Sequence, residues 1–114
     1  MRAPRGRLYP SRYGGGVLTA DDVLALRFPT GNLFVSGYAA DSVDRWIERA
    51  VSTLRAYEGD PGGEIAMLAA DARAVRFVAR RGKAAYEPEP VDDAIDMIAV
   101  TLAMHEAAAE RGDG

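Results

Sequence analysis

The 114-residue chain has no cysteine. That absence excludes disulfides, zinc–thiolate centres, iron–sulfur clusters and cysteine nucleophiles together. It has one histidine, His105, so the chain alone cannot build a multi-histidine metal site or a Ser-His-Asp triad. Lysine is also nearly missing, with Lys83 alone beside thirteen arginines. No apolar run approaches the ~18 residues that a membrane-spanning helix needs. Arginines near the N-terminus are followed by no apolar stretch, so no secretory signal is expected and a cytoplasmic location is. What is present is 48% hydrophobic residues, 27% charged residues and a net charge of −3. This is enough apolar material for a core, on a scale of one ordinary domain. A non-enzymatic protein without a cofactor or metal is expected.

The charge is unevenly spread. Residues 1–16 hold Arg2, Arg5, Arg7 and Arg12 and no acid, which leaves −7 on the rest. The same stretch holds Pro4, Pro10 and Gly14-Gly15-Gly16. Such a mixture buries little apolar surface, and a flexible basic arm is expected. Its arginines would suit an anionic surface or an acidic partner. They also suit an ordinary arginine-rich chain start.

An internal repeat organises the remainder. Asp22, Ala25, Arg27 and Phe28 recur as Asp71, Ala74, Arg76 and Phe77 at an offset of 49 residues, and Ala20 as Ala69. Tyr38, Val43, Asp44, Ile47, Leu54 and Glu58 recur as Tyr86, Val91, Asp92, Ile95, Leu102 and Glu106 at an offset of 48. The expected organisation is an arm (1–16), a first repeat (17–58), a linker (59–63) and a second repeat (64–110). The linker, Gly59-Asp60-Pro61-Gly62-Gly63, is dense in helix breakers.

Each repeat reads as a short helix, a loop and a long helix. Thr19 suits an N-cap, with Asp21 and Asp22 in the first turn, and the short helix should run to about Arg27. Pro29, Gly31 and Asn32 break it, and Asp41 can cap the long helix. Val43, Ile47, Ala50, Leu54 and Tyr57 then step by four and three, the spacing of a coiled-coil seam. The second seam is Val91, Ile95, Ile98 and Leu102, continued by His105. Pro88 and Pro90 fall where a missing N–H costs nothing. The expected fold is all-α: two similar short-helix–loop–long-helix hairpins packed through coiled-coil-like seams. The seams can pair with each other within one chain or with their copies in a homodimer. A charge at Ile47 or Ile95 should disrupt folding or pairing.

The residues Leu18-Thr19-Ala20-Asp21-Asp22-Val23, Arg27-Phe28, Gly37-Tyr38, Val43-Asp44, Trp46 and Ile47 resemble the N-terminal domain of DivIVA, the bacterial cell-pole and septum scaffold. Asp71, Arg76, Phe77, Tyr86, Val91 and Asp92 look like a degenerate second copy, so the resemblance covers roughly 80 of the 114 residues. It implies a parallel, self-associating helical domain whose interhelical loop touches the membrane at poles or septum. In the family an apolar residue followed by a basic one precedes Gly-Tyr. Here Val35 and Ser36 stand there, behind Leu33 and Phe34, so the cation is gone. The second loop holds Arg80, Arg81 and Lys83 but no large apolar residue between Val78 and Tyr86. One loop keeps the wedge and the other the charge, and side by side they would supply both terms of membrane affinity. Leu33, Phe34 and Val35 could equally pack under the loop as core. The family's long coiled-coil tail does not follow His105, so the resemblance implies an accessory or adaptor in cell division or polar growth. Its partners would be itself, DivIVA or another division protein, and an anionic membrane surface.

Other residues invite different readings. Asp92, Asp93 and Asp96, like Asp21 and Asp22, could hold a metal or move protons, but acids are favoured at helix starts in any case. Arg27 and Arg76 should pair with acids on the long helices, such as Asp44 and Asp92. Tyr38 and Tyr86 should anchor each loop to its own hairpin. The alternative function is a small nucleic-acid-binding regulator using the arginine arm. The acidic body opposes it, so no nucleic acid is expected.

Overall fold

The computed structural model describes residues 18–112. The expected basic arm lies outside them. Four α-helices dominate: α1 (Ala20–Leu24), α2 (Ala40–Tyr57), α3 (Ala69–Ala74) and α4 (Pro88–Glu110). Between them lie three short strands, β1 (Gly37–Ala39), β2 (Ala79–Arg80) and β3 (Ala85–Tyr86), and a 3-10 turn at Gly82–Ala84.

The strands correct the all-α expectation. β1 is central and pairs antiparallel with β2 on one side and β3 on the other. On the far side of β3, Thr30 makes a further antiparallel bridge to Tyr86. Across the ladder the order is Ala79, Tyr38, Tyr86, Thr30, so the two halves of the chain alternate. The physical reason is backbone accounting. Once the short helices end, the loop N–H and C=O groups need partners, and each loop finds them in the other loop. Ala39 N donates to Val78 O at 2.8 Å and Glu87 N to Pro29 O at 2.9 Å. Strands of two or three residues carry no period-two pattern for a sequence to reveal.

Local chemistry explains the helix ends. Thr19 caps α1 as expected, its Oγ1 accepting from Asp22 N at 3.1 Å while Asp22 Oδ2 accepts from Thr19 N at 2.9 Å. That is a reciprocal capping box. In α3 the cap position is Leu68, which cannot accept, and only Asp71 Oδ2 to Leu68 N remains. α1 stops at Leu24 rather than near Arg27, and Arg27 folds its guanidinium back to donate to the Leu24 and Leu26 carbonyls that the helix end leaves free. Arg76 does the same to Ala74 and Val75. The expected Asp41 cap is not used. β1 runs straight into α2 through Ala39, and the sheet sets that entry. α4 begins at Pro88, whose missing N–H leaves no orphan donor there.

α1 packs chiefly on α2, α3 on α4, and α2 meets α4. Val43, Ala50, Leu54, Val91, Ile98 and Leu102 are buried along the α2–α4 contact, while Ile47, Tyr57 and Ile95 are half-buried. The core adds Trp46, Val23 and Ala20 from the first half and Met67, Ala69 and Ala72 from the second. Tyr38, at the start of α2, reaches Asp92 near the start of α4. Tyr57 and His105, at the other ends, stack with centroids 4.7 Å apart and planes 3° apart. The two long helices therefore run side by side in the same direction.

Candidate functional site

The expected site residues fall into two places: the buried helix contact and the exposed loop tips at the N-terminal ends of α2 and α4. The helix contact is tied by reciprocal bonds between matched residues. Tyr38 Oη donates to Asp92 Oδ1 at 2.8 Å, and Tyr86 Oη donates to Asp44 Oδ1 at 2.8 Å. Each tyrosine thus crosses to the other half, which corrects the expectation that it anchors its own. Arg27 and Arg76 make no ion pair with Asp44 or Asp92; they are spent on the helix carbonyls. Both tyrosine hydroxyls are held above their ordinary pKa, first by the hydrogen bond to the carboxylate, then by burial and the carboxylate charge, with the nearby arginine opposing. Tyr57 is raised too, by burial and then by Glu106.

Phe28 packs on Tyr86 and Phe77 on Tyr38, with centroids 5.4 and 5.2 Å apart, and Trp46 meets the Phe77 ring edge-on at 6.1 Å. Two matching half-open grooves result. One of about 360 Å³ is bounded by Arg27, Phe28, Asp44, Ile47 and Tyr86. Its counterpart, about 330 Å³, is bounded by Arg76, Phe77, Asp92, Ile95 and Tyr38. Ile47 and Ile95 face these grooves, which is why they are less buried than their seam neighbours.

One matched pair escaped the sequence reading. Thr53 and Thr101 are fully buried. Each Oγ1 donates back one turn, to Arg49 O at 2.8 Å and to Met97 O at 2.9 Å. Each also accepts from a segment entering a short helix: Ala66 N on Thr53 at 2.9 Å and Leu18 N on Thr101 at 3.1 Å. Their spacing of 48 residues was the available signal. Glu58 and Glu106, matched in the sequence, also act alike. Glu58 Oε2 accepts from Ala20 N at 2.8 Å and Glu106 Oε2 from Ala69 N at 2.7 Å. Carboxylates at the first N–H groups of short helices suit the helix dipole.

The loop tips resolve the alternative left open for the apolar triplet. Leu33, Phe34 and Val35 are exposed, at 73%, 86% and 56%, and so are not core. Asn32 shapes the tip, its Oδ1 accepting from Phe34 N at 2.8 Å and Val35 N at 3.1 Å. This turn lifts the three side chains off the body. The second loop lies beside it. Gly82 N donates to Asn32 O at 3.0 Å. A Cβ built on Gly82 would meet the Leu33 side chain at 3.3 Å, and its φ of 82° favours glycine in any case. Arg80, Arg81 and Lys83 flank Gly82 and are exposed. Glu87 and Glu89 border the other side of the tip, with Val35, Ser36 and Pro88.

Asp93 and Asp96 are exposed on α4, and Asp92 is engaged by Tyr38. Among the described residues no cluster of three or more His, Cys, Asp or Glu side chains could hold a metal, and no helix is long and apolar enough to cross a membrane. The chain matches no protein-family model, no curated protein and no solved structure.

Proposed function

We propose that this protein is a non-enzymatic accessory or adaptor in bacterial cell division or polar growth, built from two DivIVA-like helix–loop–helix copies that pair within one chain. In this reading α2 and α4 form a short coiled-coil-like seam, and the crossed loops replace the second subunit that a single-copy domain would need. The working surface is the pair of loop tips. Its occupant is an anionic membrane surface, with DivIVA or another division protein as the partner held there.

The observation that carries this reading is the seating of Leu33 over Gly82. It brings the loop that carries Leu33, Phe34 and Val35 against the loop that carries Arg80, Arg81 and Lys83, so the paired tips combine exposed apolar side chains and three exposed cations. A single weak anchor gives only marginal membrane affinity, while two together hold. Three exposed large apolar side chains in a row at a turn have no folding reason to be there. Glu87 and Glu89 nearby make the net field modest, so the apolar term has to carry much of the binding.

Sedimentation with phosphatidylglycerol-containing vesicles, against purely zwitterionic ones, tests this. The wild type should bind the anionic vesicles and release at high salt. Phe34→Ser with Leu33→Ser should lose at least about tenfold in affinity, since each buried methylene contributes roughly 0.8 kcal/mol, with no loss of melting temperature. A wild type that fails to sediment with anionic vesicles, or a double variant that binds as well, would remove the loop tips from the function. A fluorescent fusion in a growing rod-shaped bacterium then separates polar or septal foci from a diffuse signal.

A further inference from the structure

One matched position in the core changes from the largest side chain to nearly the smallest. Trp46 stands two residues beyond Asp44 on α2, and Ala94 two residues beyond Asp92 on α4. The matched bonds from Tyr86 to Asp44 and from Tyr38 to Asp92 fix that comparison on the long helices themselves. Trp46 is buried and meets Phe77 edge-on, with centroids 6.1 Å apart. Phe28 takes the place of Phe77 in the other half, packing on Tyr86 as Phe77 packs on Tyr38. Where Phe77 has an indole beside it, Phe28 has the methyl group of Ala94 and open space. That space is a half-open cavity of about 180 Å³, bounded by Phe28, Ala94, Leu26 and Met97.

The charges beside this position differ as well. On α2, Arg45 pairs with Asp41 one turn before it, at 3.7 Å. The residues in the same places relative to Ala94 are Asp93 and Glu89, two exposed acids. Acids one turn apart on a helix repel each other, so a cation brought to them is favoured. Asp93 borders the cavity, and so does Arg27, whose guanidinium is held by the Leu24 and Leu26 carbonyls.

We infer that this cavity receives an aromatic side chain, tryptophan above all, from a partner polypeptide that carries a cation next to that residue. The inference rests on the difference between the two halves and not on the functional reading above. The volume exceeds the ~150 Å³ of an apolar cavity that takes up benzene, so it suffices for one ring system. The open side leaves the rest of the partner in solvent, as a side chain presented by a polypeptide requires. The ring lies edge-on to Phe28, as Trp46 lies to Phe77, an arrangement that aromatic pairs prefer. The flexible thioether of Met97 adjusts to it, and the partner's cation meets Asp93 and Glu89.

Titration of the full chain with acetyl-Lys-Trp-Lys-amide, followed by the methyl NMR signals of Ala94 and Met97, tests this. The ring should shift both signals saturably. Acetyl-Lys-Ala-Lys-amide should bind at least about tenfold more weakly, because it lacks the ring. Acetyl-Glu-Trp-Glu-amide should bind about threefold more weakly at low salt, a gap that Asp93→Arg should close or invert. Ala94→Trp gives α4 the side chain that α2 has at this place. It should leave the melting temperature unchanged or raise it, and it should abolish peptide binding read at Met97. Absence of a saturable shift in the wild type overturns the inference, whether the cavity is closed or taken by the chain itself. Equal binding of the Lys-Trp-Lys peptide and either control also overturns it. So does an Ala94→Trp variant that melts more than about 5 °C below the wild type, since that is the overpacking of a site with no open cavity.

Discussion

Tyr38 and Tyr86 are the residues on which the two halves depend most visibly. Each gives its hydroxyl proton to a carboxylate of the other half, and each supports a phenylalanine ring. Tyr38→Phe or Tyr86→Phe keeps the ring and removes one hydrogen bond, so each should cost about 1 kcal/mol in denaturant unfolding. The same bonds set a pH dependence. With the folded-state pKa raised, the unfolded chain loses the phenolic proton first as pH climbs past about 10, so stability falls from there upward. Below that pH the contribution is fully present. Thermal melts at rising alkaline pH should show this loss, and the Tyr38→Phe/Tyr86→Phe double variant should show a shallower one. Both tyrosines were legible as a matched pair in the sequence. Their partners were not, because a matched pair does not say whether it closes within a half or across halves. The arginines Arg27 and Arg76 lay equally near in sequence to the obvious charge partners, yet the helix carbonyls took them.

At the level of elements, the long helices and their buried stripes were readable from the four-three spacing. The first short helix was readable from Thr19 and the acids that follow it, though not its end at Leu24, and the second only from its match to the first. The strands were not, since their pairing is a property of two loops rather than of either one. Thr53 and Thr101 show how the elements are fastened. Each threonine sits in a long helix, turns one hydrogen bond back on it, and holds the chain entering a short helix. Thr101→Val leaves the buried Leu18 N–H without its partner and should cost about 1–3 kcal/mol. Thr53→Val frees Ala66 N–H, on an exposed residue, and should cost less. Chemical denaturation of the two variants side by side checks the order. In the seam, Ile98 is fully buried while Ile47 and Ile95 border open grooves. Ile98→Asp should therefore abolish cooperative unfolding, and Ile47→Asp should leave a folded protein of lowered melting temperature. Circular dichroism melts distinguish the two outcomes.

For the whole molecule, the repeat is the organising fact. Matched residues occupy matched places: Glu58 and Glu106 on the short helices, Tyr57 against His105, Thr53 and Thr101 at the entries, Asp44 and Asp92 at the crossing tyrosines. The seams cover each other inside one chain. The sequence alone determined the helical content, the apolar stripes and the existence of two like halves, because spacing, caps and breakers act over a few residues and leave a local pattern. It also marked Leu33, Phe34 and Val35 as unusual without saying whether they were core or surface. Only the tertiary structure decided that they are exposed, that the loops interleave into a sheet, and that Gly82 of one loop seats against Asn32 and Leu33 of the other. Those outcomes depend on which backbone groups and side chains meet across some fifty residues of chain, and no local rule reaches that far.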